Sequence, residues 1–144
     1  MNKVINLNLS GLLAAYGTAL RLEYRLTEAE PTESAIFGLV RCALGIPRGE
    51  DWPERQQLTL KIVSHTHEGE FRDFHTVRDA ITYEGSAGRA IITQRYYLIN
   101  SASTVELSGD SKLIDKISNA LRCPTWQLYL GRRCCVPTAP LVEV

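Results

Sequence analysis

The run Tyr129-Leu130-Gly131-Arg132-Arg133-Cys134-Cys135-Val136-Pro137 holds the residue types best suited to chemistry in this chain. Glycine lets a backbone approach a ligand closely or take a positive φ. Two adjacent arginines supply planar, permanently charged forks that match phosphate oxygens. Together they read as a tight turn presenting positive charge to an anion, with a surface turn of two solvated arginines as the plain alternative. Cys134, Cys135 and Val136 read as the start of a final strand, stopped by Pro137.

Other candidates carry less. The loop from Ser10-Gly11 to Pro31 holds Arg21, Tyr24 and Arg25 close to Glu23, Glu28 and Glu30. Its arginines either help hold an anion or are simply solvated. His65 and His67 share one face of an expected strand, but no third ligand stands at a convincing spacing, so an exposed strand end is the better reading. The four cysteines, Cys42, Cys123, Cys134 and Cys135, form no CxxC pair. That argues against zinc and for small reduced core residues. No cofactor is expected.

The elements that must position these residues follow from periodicity. Val4 to Leu9 alternates as a half-buried strand, ended by Ser10-Gly11. Thr32 caps a helix over 33–44, whose apolar stripe is Ile36, Leu39, Val40, Ala43 and Leu44. Gly45 terminates it and Pro47 prevents its continuation. Asp51-Trp52-Pro53-Glu54 starts a shorter helix. From Leu58 to about His67 the period is two, a strand. Phe71 to Val77 alternates again, Asp79 to Ala90 is loop-like, and Ala90 to Asn100 returns as a strand. This reads as a long hairpin with a flexible tip, carrying Arg72, His75, Arg78, Arg89 and Arg95. A ribbon of that length must pack on something or reach a partner. Ser103 to Leu107 reads as a further short strand. Ser108 to Ser111 turns and caps a second helix with the stripe Leu113, Ile114, Ile117 and Leu121, and Pro124 ends it.

The resulting order is strand, helix, strand, hairpin insert, strand, helix, glycine turn, strand. That is the βαββαβ pattern of an α+β, ferredoxin-like (RRM-like) fold, with helices on one sheet face and the other face free for nucleic acid or protein. The 144 residues suit a single domain spanning 1–144. Residues 1–84 hold 9 Lys/Arg against 12 Asp/Glu, and residues 85–144 hold 7 against 4, so charges of −3 and +3 cancel to zero. A local anionic site fits this better than a wholly basic surface. The sequence has neither the apolar run needed for a membrane span nor a signal-peptide pattern at Met1-Asn2-Lys3-Val4. A cytoplasmic protein is expected.

With these pieces in order, the chain resembles the fifth Cas protein family, of the RAMP superfamily, in the form that serves the type I-E CRISPR surveillance complex Cascade. The resemblance runs through most of the chain. It is carried by Leu9-Ser10-Gly11 with Ala15-Tyr16-Gly17, by Pro31-Thr32-Glu33-Ser34 with Gly38-Leu39, and by Ala43 to Arg48. It continues in Arg72-Asp73-Phe74-His75-Thr76-Val77, Tyr97-Leu98 and Thr104-Val105. It ends with Tyr129 to Arg133, Cys135-Val136-Pro137 and Pro140-Leu141.

The resemblance implies a non-catalytic subunit that caps the complex and grips the 5′ handle of the CRISPR guide RNA. A β-hairpin thumb, here about 71–100, would meet the adjacent backbone subunit through Arg72, His75, Arg78, Arg89 and Arg95. The large subunit would dock nearby, close to target DNA. Arg25, Tyr129, Leu130, Gly131, Arg132 and Arg133 would lie at the RNA, by phosphate contacts, close backbone approach and stacking or packing of the aromatic. Two departures stand out. Glu33 occupies a place where the family is often basic, and the chain stops at Val144 where the family continues, which reads as a shortened form. Two other readings remain. One is a metal-independent endoribonuclease using His75 with Arg72, or Tyr83 with Arg89, for acid–base work. The other is a pure protein-interaction module.

Overall fold

The computed structural model describes residues 1–17 and 23–143. Its elements are β1 (Asn2–Ala14), β2 (Tyr24–Arg25), α1 (Glu33–Leu44), a 3-10 turn (Pro53–Gln57), β3 (Thr59–Thr66), β4 (Gly69–Val77), β5 (Ile91–Asp110) and α2 (Ser111–Arg122). All five strands belong to one mixed sheet, and the chain is α+β. Arg21 lies outside the described residues.

β5 is the axis of the sheet. β1 runs antiparallel along one edge of it, from Asn2 opposite Asp110 to Ala14 opposite Leu98. On the other edge β3 covers Ala102 to Ser108, and β4 covers Ile91 to Ile99. Beyond the end of β1, the two residues of β2 pair in parallel with Gln94 and Arg95. The second half of β5 is therefore flanked by β1 and β3 in the body. Its first half leaves the body with β4 as a ribbon. Residues 91–97 extend it by roughly 20 Å at the usual rise of a strand. β2 clips onto the root of this ribbon.

The body closes because alternate strand residues face the helices. Leu7 and Leu9 of β1 and Val105 and Leu107 of β5 are buried together with Ile36 and Val40 of α1 and Ile114 and Ile117 of α2. α1 matches its expected bounds. Its Thr32 hydroxyl accepts from the Ala35 amide, and Gly45 closes it in the left-handed region at φ 72°. α2 is capped by the Asp110 side chain, which accepts from the Lys112 amide.

Four expectations are corrected. β1 does not stop at Ser10-Gly11 but runs on to Ala14. Gly11 serves as a contact point: a Cβ there would come within 2.8 Å of the Leu130 side chain. The expected strands at 90–100 and 103–107 are one strand of 20 residues, bent where Asn100 takes φ 46°. β5 also runs straight into the cap of α2, leaving no separate turn at Ser108. Finally, no strand forms at Cys134–Val136, so the last strand of the expected βαββαβ order is absent among the described residues. The segment after α2 instead lies along the free edge of β1 with isolated bonds, from Asn8 N to Leu141 O and from Thr138 N to Ser10 O. Pro137 and Pro140 lack amide donors, which prevents a continuous ladder there. Leu141 and Val142 are nonetheless buried.

The ribbon tip, expected to be loop-like, contains a hydrogen-bonded turn. Ile81 bridges Ala87, the Thr82 amide donates to Ser86 O, and the Gly88 amide donates to Ala80 O. Ile81 and Tyr83 project from it fully into solvent.

Candidate nucleic-acid interface

The turn at 130–135 is bolted to the end of β1. The Leu130 amide donates to Cys135 O, the Cys135 amide to Arg132 O, and the Ala15 amide to Leu130 O. The Leu130 and Cys135 side chains are fully buried. Gly131 has φ 87°, and a Cβ on it would stand 1.7 Å from the Ala15 carbonyl oxygen. The close approach expected at this glycine is thus made to the protein's own backbone. Burial pushes the Cys135 thiol up to about 12, so it is no nucleophile at neutral pH.

Arg132 leaves the turn and reaches the ribbon root. Its Nη1 donates to Tyr96 O at 3.0 Å and its Nη2 to Arg25 O at 2.8 Å. The guanidinium lies 4.7 Å from the centroid of the Tyr97 ring, a stacked arrangement. Arg132 is therefore a fastener first, with the remaining N–H groups left to meet a ligand. Tyr97 is buried beneath it and takes a weak hydrogen bond from the Cys134 thiol to its hydroxyl at 3.6 Å.

Arg25 stands directly opposite Arg95 in the parallel β2–β5 pairing. Paired residues point to the same sheet face, so two like charges are set side by side. The Arg95 Nε donates to the hydroxyl of buried Thr93 at 3.2 Å. Asp73 faces Arg95 from β4, and its carboxylate lies 3.4 Å from the Nδ1 of His75. Among the described residues, neither Arg25 nor Arg95 has an ion-pair partner.

The structure thus brings Arg25, Arg95 and Arg132 together and separates the rest of the expected set. Arg133 is exposed and turns toward α1, where its charge pulls the Cys42 thiol down against a larger upward push from burial. Tyr129 is half-buried and lines a narrow crevice with Tyr16, Ile36 and Leu39. Leu130 offers only its backbone. On the ribbon, Arg72 pairs with Tyr96 and so lies on the face opposite Arg95. Arg78 and Arg89 are exposed near the tip, and His75 sits with Asp73.

The sequence puts Arg95 on the hairpin but does not reveal that it stands beside Arg25 or that Tyr97 lies under Arg132. The only signal for the latter was the adjacent aromatic pair Tyr96-Tyr97. His65 on β3 and His67 just past its end bond to each other, His65 Nε2 to His67 Nδ1 at 3.2 Å, and His65 Nδ1 meets the Ser103 hydroxyl at 2.6 Å. Burial first, and the His67 charge second, pull His65 below the usual imidazole range. No group of three metal-ligating side chains exists among the described residues, and no described helix is long and apolar enough to cross a membrane.

Comparisons with known proteins point one way. Residues 4–144 match the family described as CRISPR-associated protein (Cas_Cas5). The CRISPR system Cascade subunit CasD of Escherichia coli (strain K12) is 31% identical over 158 residues, covering 98% of this chain and 70% of that protein. A chain of a solved CRISPR RNA-guided surveillance complex superposes with a TM-score of 0.87 at 29% identity, covering 97% of this chain and 62% of its own length. A crystal structure described as a Cas protein gives 0.69 at 29% identity, over 98% of this chain and 63% of that one. The chain spans under two thirds of the length of both solved relatives.

Proposed function

Because the chain belongs to the Cas5 family of CRISPR-associated proteins, we propose that it is a non-catalytic Cascade subunit that holds the 5′ handle of the guide RNA. The observation that carries this reading is the junction made by Arg132. It ties an arginine-bearing turn, the Arg25 segment and the root of a projecting ribbon into one positively charged surface backed by an aromatic ring. Single-stranded RNA is held by such a combination of phosphate contacts and aromatic faces. Arg25, Arg132 and Arg133 serve the phosphates, Gly131 and Leu130 shape the turn by their backbone, and Tyr129 packs beside it.

The body is a ferredoxin-like unit in which the segment after α2 takes the edge place of the last strand. The ribbon is the thumb that meets the backbone subunit, with Arg72, Arg78 and Arg89 on its outer surfaces. The large subunit docks on the body, target DNA runs nearby, and the particle is cytoplasmic.

The test is co-expression with the other Cascade subunits. The expected result is co-purification with guide RNA, with weaker binding of a labelled repeat handle by the Arg25→Ala, Arg133→Ala double variant. A chain that assembles without RNA contact and binds the handle no better than an unrelated protein refutes the reading.

One observation supports a second reading, a metal-independent endoribonuclease. His75 and Asp73 pair at 3.4 Å on the ribbon face that also holds Arg95, a base oriented by a carboxylate next to a cation. Incubation of repeat RNA with the protein in chelator separates the two, since cleavage lost in His75→Ala requires the enzyme.

A further inference from the structure

We infer that Arg25 and Arg95 form a shared subsite for one phosphate of the bound RNA strand, and that Arg132 is the residue that positions it. This rests on the RNA-holding reading above and adds to it a residue, Arg95, that the sequence alone places with the protein-contacting arm.

Like charges set opposite one another on a sheet face are destabilising. Among the described residues no ion pair to either arginine relieves that repulsion. The one carboxylate facing Arg95 across the ribbon belongs to Asp73, which is held by His75. The side chain of Arg95 is held by Thr93, which is only 3% exposed and accepts from Nε, and neither Nη group has a hydrogen-bond partner among the described residues. The backbone of Arg25 is fixed by Arg132 through its carbonyl. Two arginines rooted on one sheet face, their backbones at neighbouring-strand spacing of about 5 Å, can donate to different oxygens of one phosphate.

The guanidinium of Arg132 over Tyr97 continues the positive row by one more position. A row of cations beside an aromatic ring suits a strand of repeating anions better than a single carboxylate of a protein partner. Phe71, 6.3 Å from Tyr97 and partly exposed, extends the aromatic surface.

Two measurements on the full-length chain test this, with Arg25→Gln, Arg95→Gln and the double variant. The first is thermal unfolding without RNA. The wild type is expected to gain stability as salt is raised from low concentration, and each single variant to be more stable than the wild type at low salt. The second is titration of a fluorescent repeat-handle oligonucleotide across a salt series. Either substitution is expected to make the slope of log K against log salt shallower by about 0.7, the value for one phosphate of a single strand. The double variant is expected to lose no more slope than either single one, because the phosphate is shared.

Wild-type slopes retained in both single variants overturn the subsite while leaving the RNA reading intact. A wild type that binds no handle RNA overturns both. Stabilisation of the wild type by polyglutamate in preference to RNA, lost in both single variants, assigns the pair to an acidic protein surface and overturns the phosphate.

Discussion

The guanidinium of Arg132 donates a hydrogen bond to the main-chain carbonyl of Arg25, 2.8 Å away and 107 positions earlier in the chain. A second bond to Tyr96 O makes Arg132 the link among three separate segments. Carbonyls so engaged hold β2 in a sheet that it could not enter by two residues of its own.

Replacement of Arg132 by alanine is therefore expected to loosen β2 before it touches the core. Hydrogen bonds to a charged group contribute about 1.5–3 kcal/mol. A loss at the lower end of that range, in urea unfolding, fits a half-exposed side chain. Amide exchange at Tyr24 to Leu26 should accelerate while that of Leu7 and Leu9 stays protected. Equal acceleration in both places counts against the fastener.

Gly131→Ala should be the most damaging change in the turn. Gly49 gives the control, because it too has a positive φ, 95°, yet has open space where a Cβ would stand. Alanine at Gly49 costs only the left-handed penalty, about 1–2 kcal/mol. Alanine at Gly131 adds the collision with the Ala15 carbonyl, so its unfolding midpoint should fall well below that of the Gly49 variant. Matching midpoints would mean the turn relaxes away from β1.

Tyr16 sets an alkaline limit. Burial raises its phenol from 10.0 to about 12. The neighbouring Ser101 hydroxyl pulls slightly the other way, although neither hydroxyl has a partner of normal hydrogen-bond geometry. A raised acid pKa means that the fold favours the protonated form. Stability from this group is complete below pH 10 and is lost as pH rises through about 12. Cys135 acts in the same direction from pH 9 upward. Tyr16→Phe should flatten part of the alkaline decline and cost little at neutral pH, since it removes an unpartnered buried hydroxyl. An unchanged alkaline slope by circular dichroism would discount the phenol.

Ile81 and Tyr83 at the ribbon tip touch little of their own chain. Ile81→Ser with Tyr83→Ser should leave stability within about 0.5 kcal/mol, as surface changes do. The same pair should reduce recovery of the backbone subunit in a pull-down, if the arm meets that subunit by its tip. Full recovery moves the contact to the ribbon sides, where Phe74 and Ile92 are exposed.

The helices were legible in the sequence because their signals are local. Thr32, the stripe from Ile36 to Leu44, and Gly45 each act within a turn or two, and α1 has the bounds they imply. The strands were legible in phase but not in length. Nothing near Asn100 announces that β5 continues, since its neighbours on both edges come from segments far away in the chain. The last strand failed for a related reason: Cys134–Val136 has strand composition, but the two prolines that follow deny it a ladder. At the site, residue types identified the turn, while side-chain direction could not be read. The adjacent residues Arg132 and Arg133 diverge, one to the ribbon root and one toward α1, and Arg95 joins Arg25 only through the parallel pairing of β2.

β5 begins beside the ribbon tip and ends on Asp110, whose side chain caps α2. Arm and body are therefore parts of the same rod, and Asn100 is its residue with a positive φ, 46°. Any load on the arm is therefore carried by one continuous strand to the residue that caps α2.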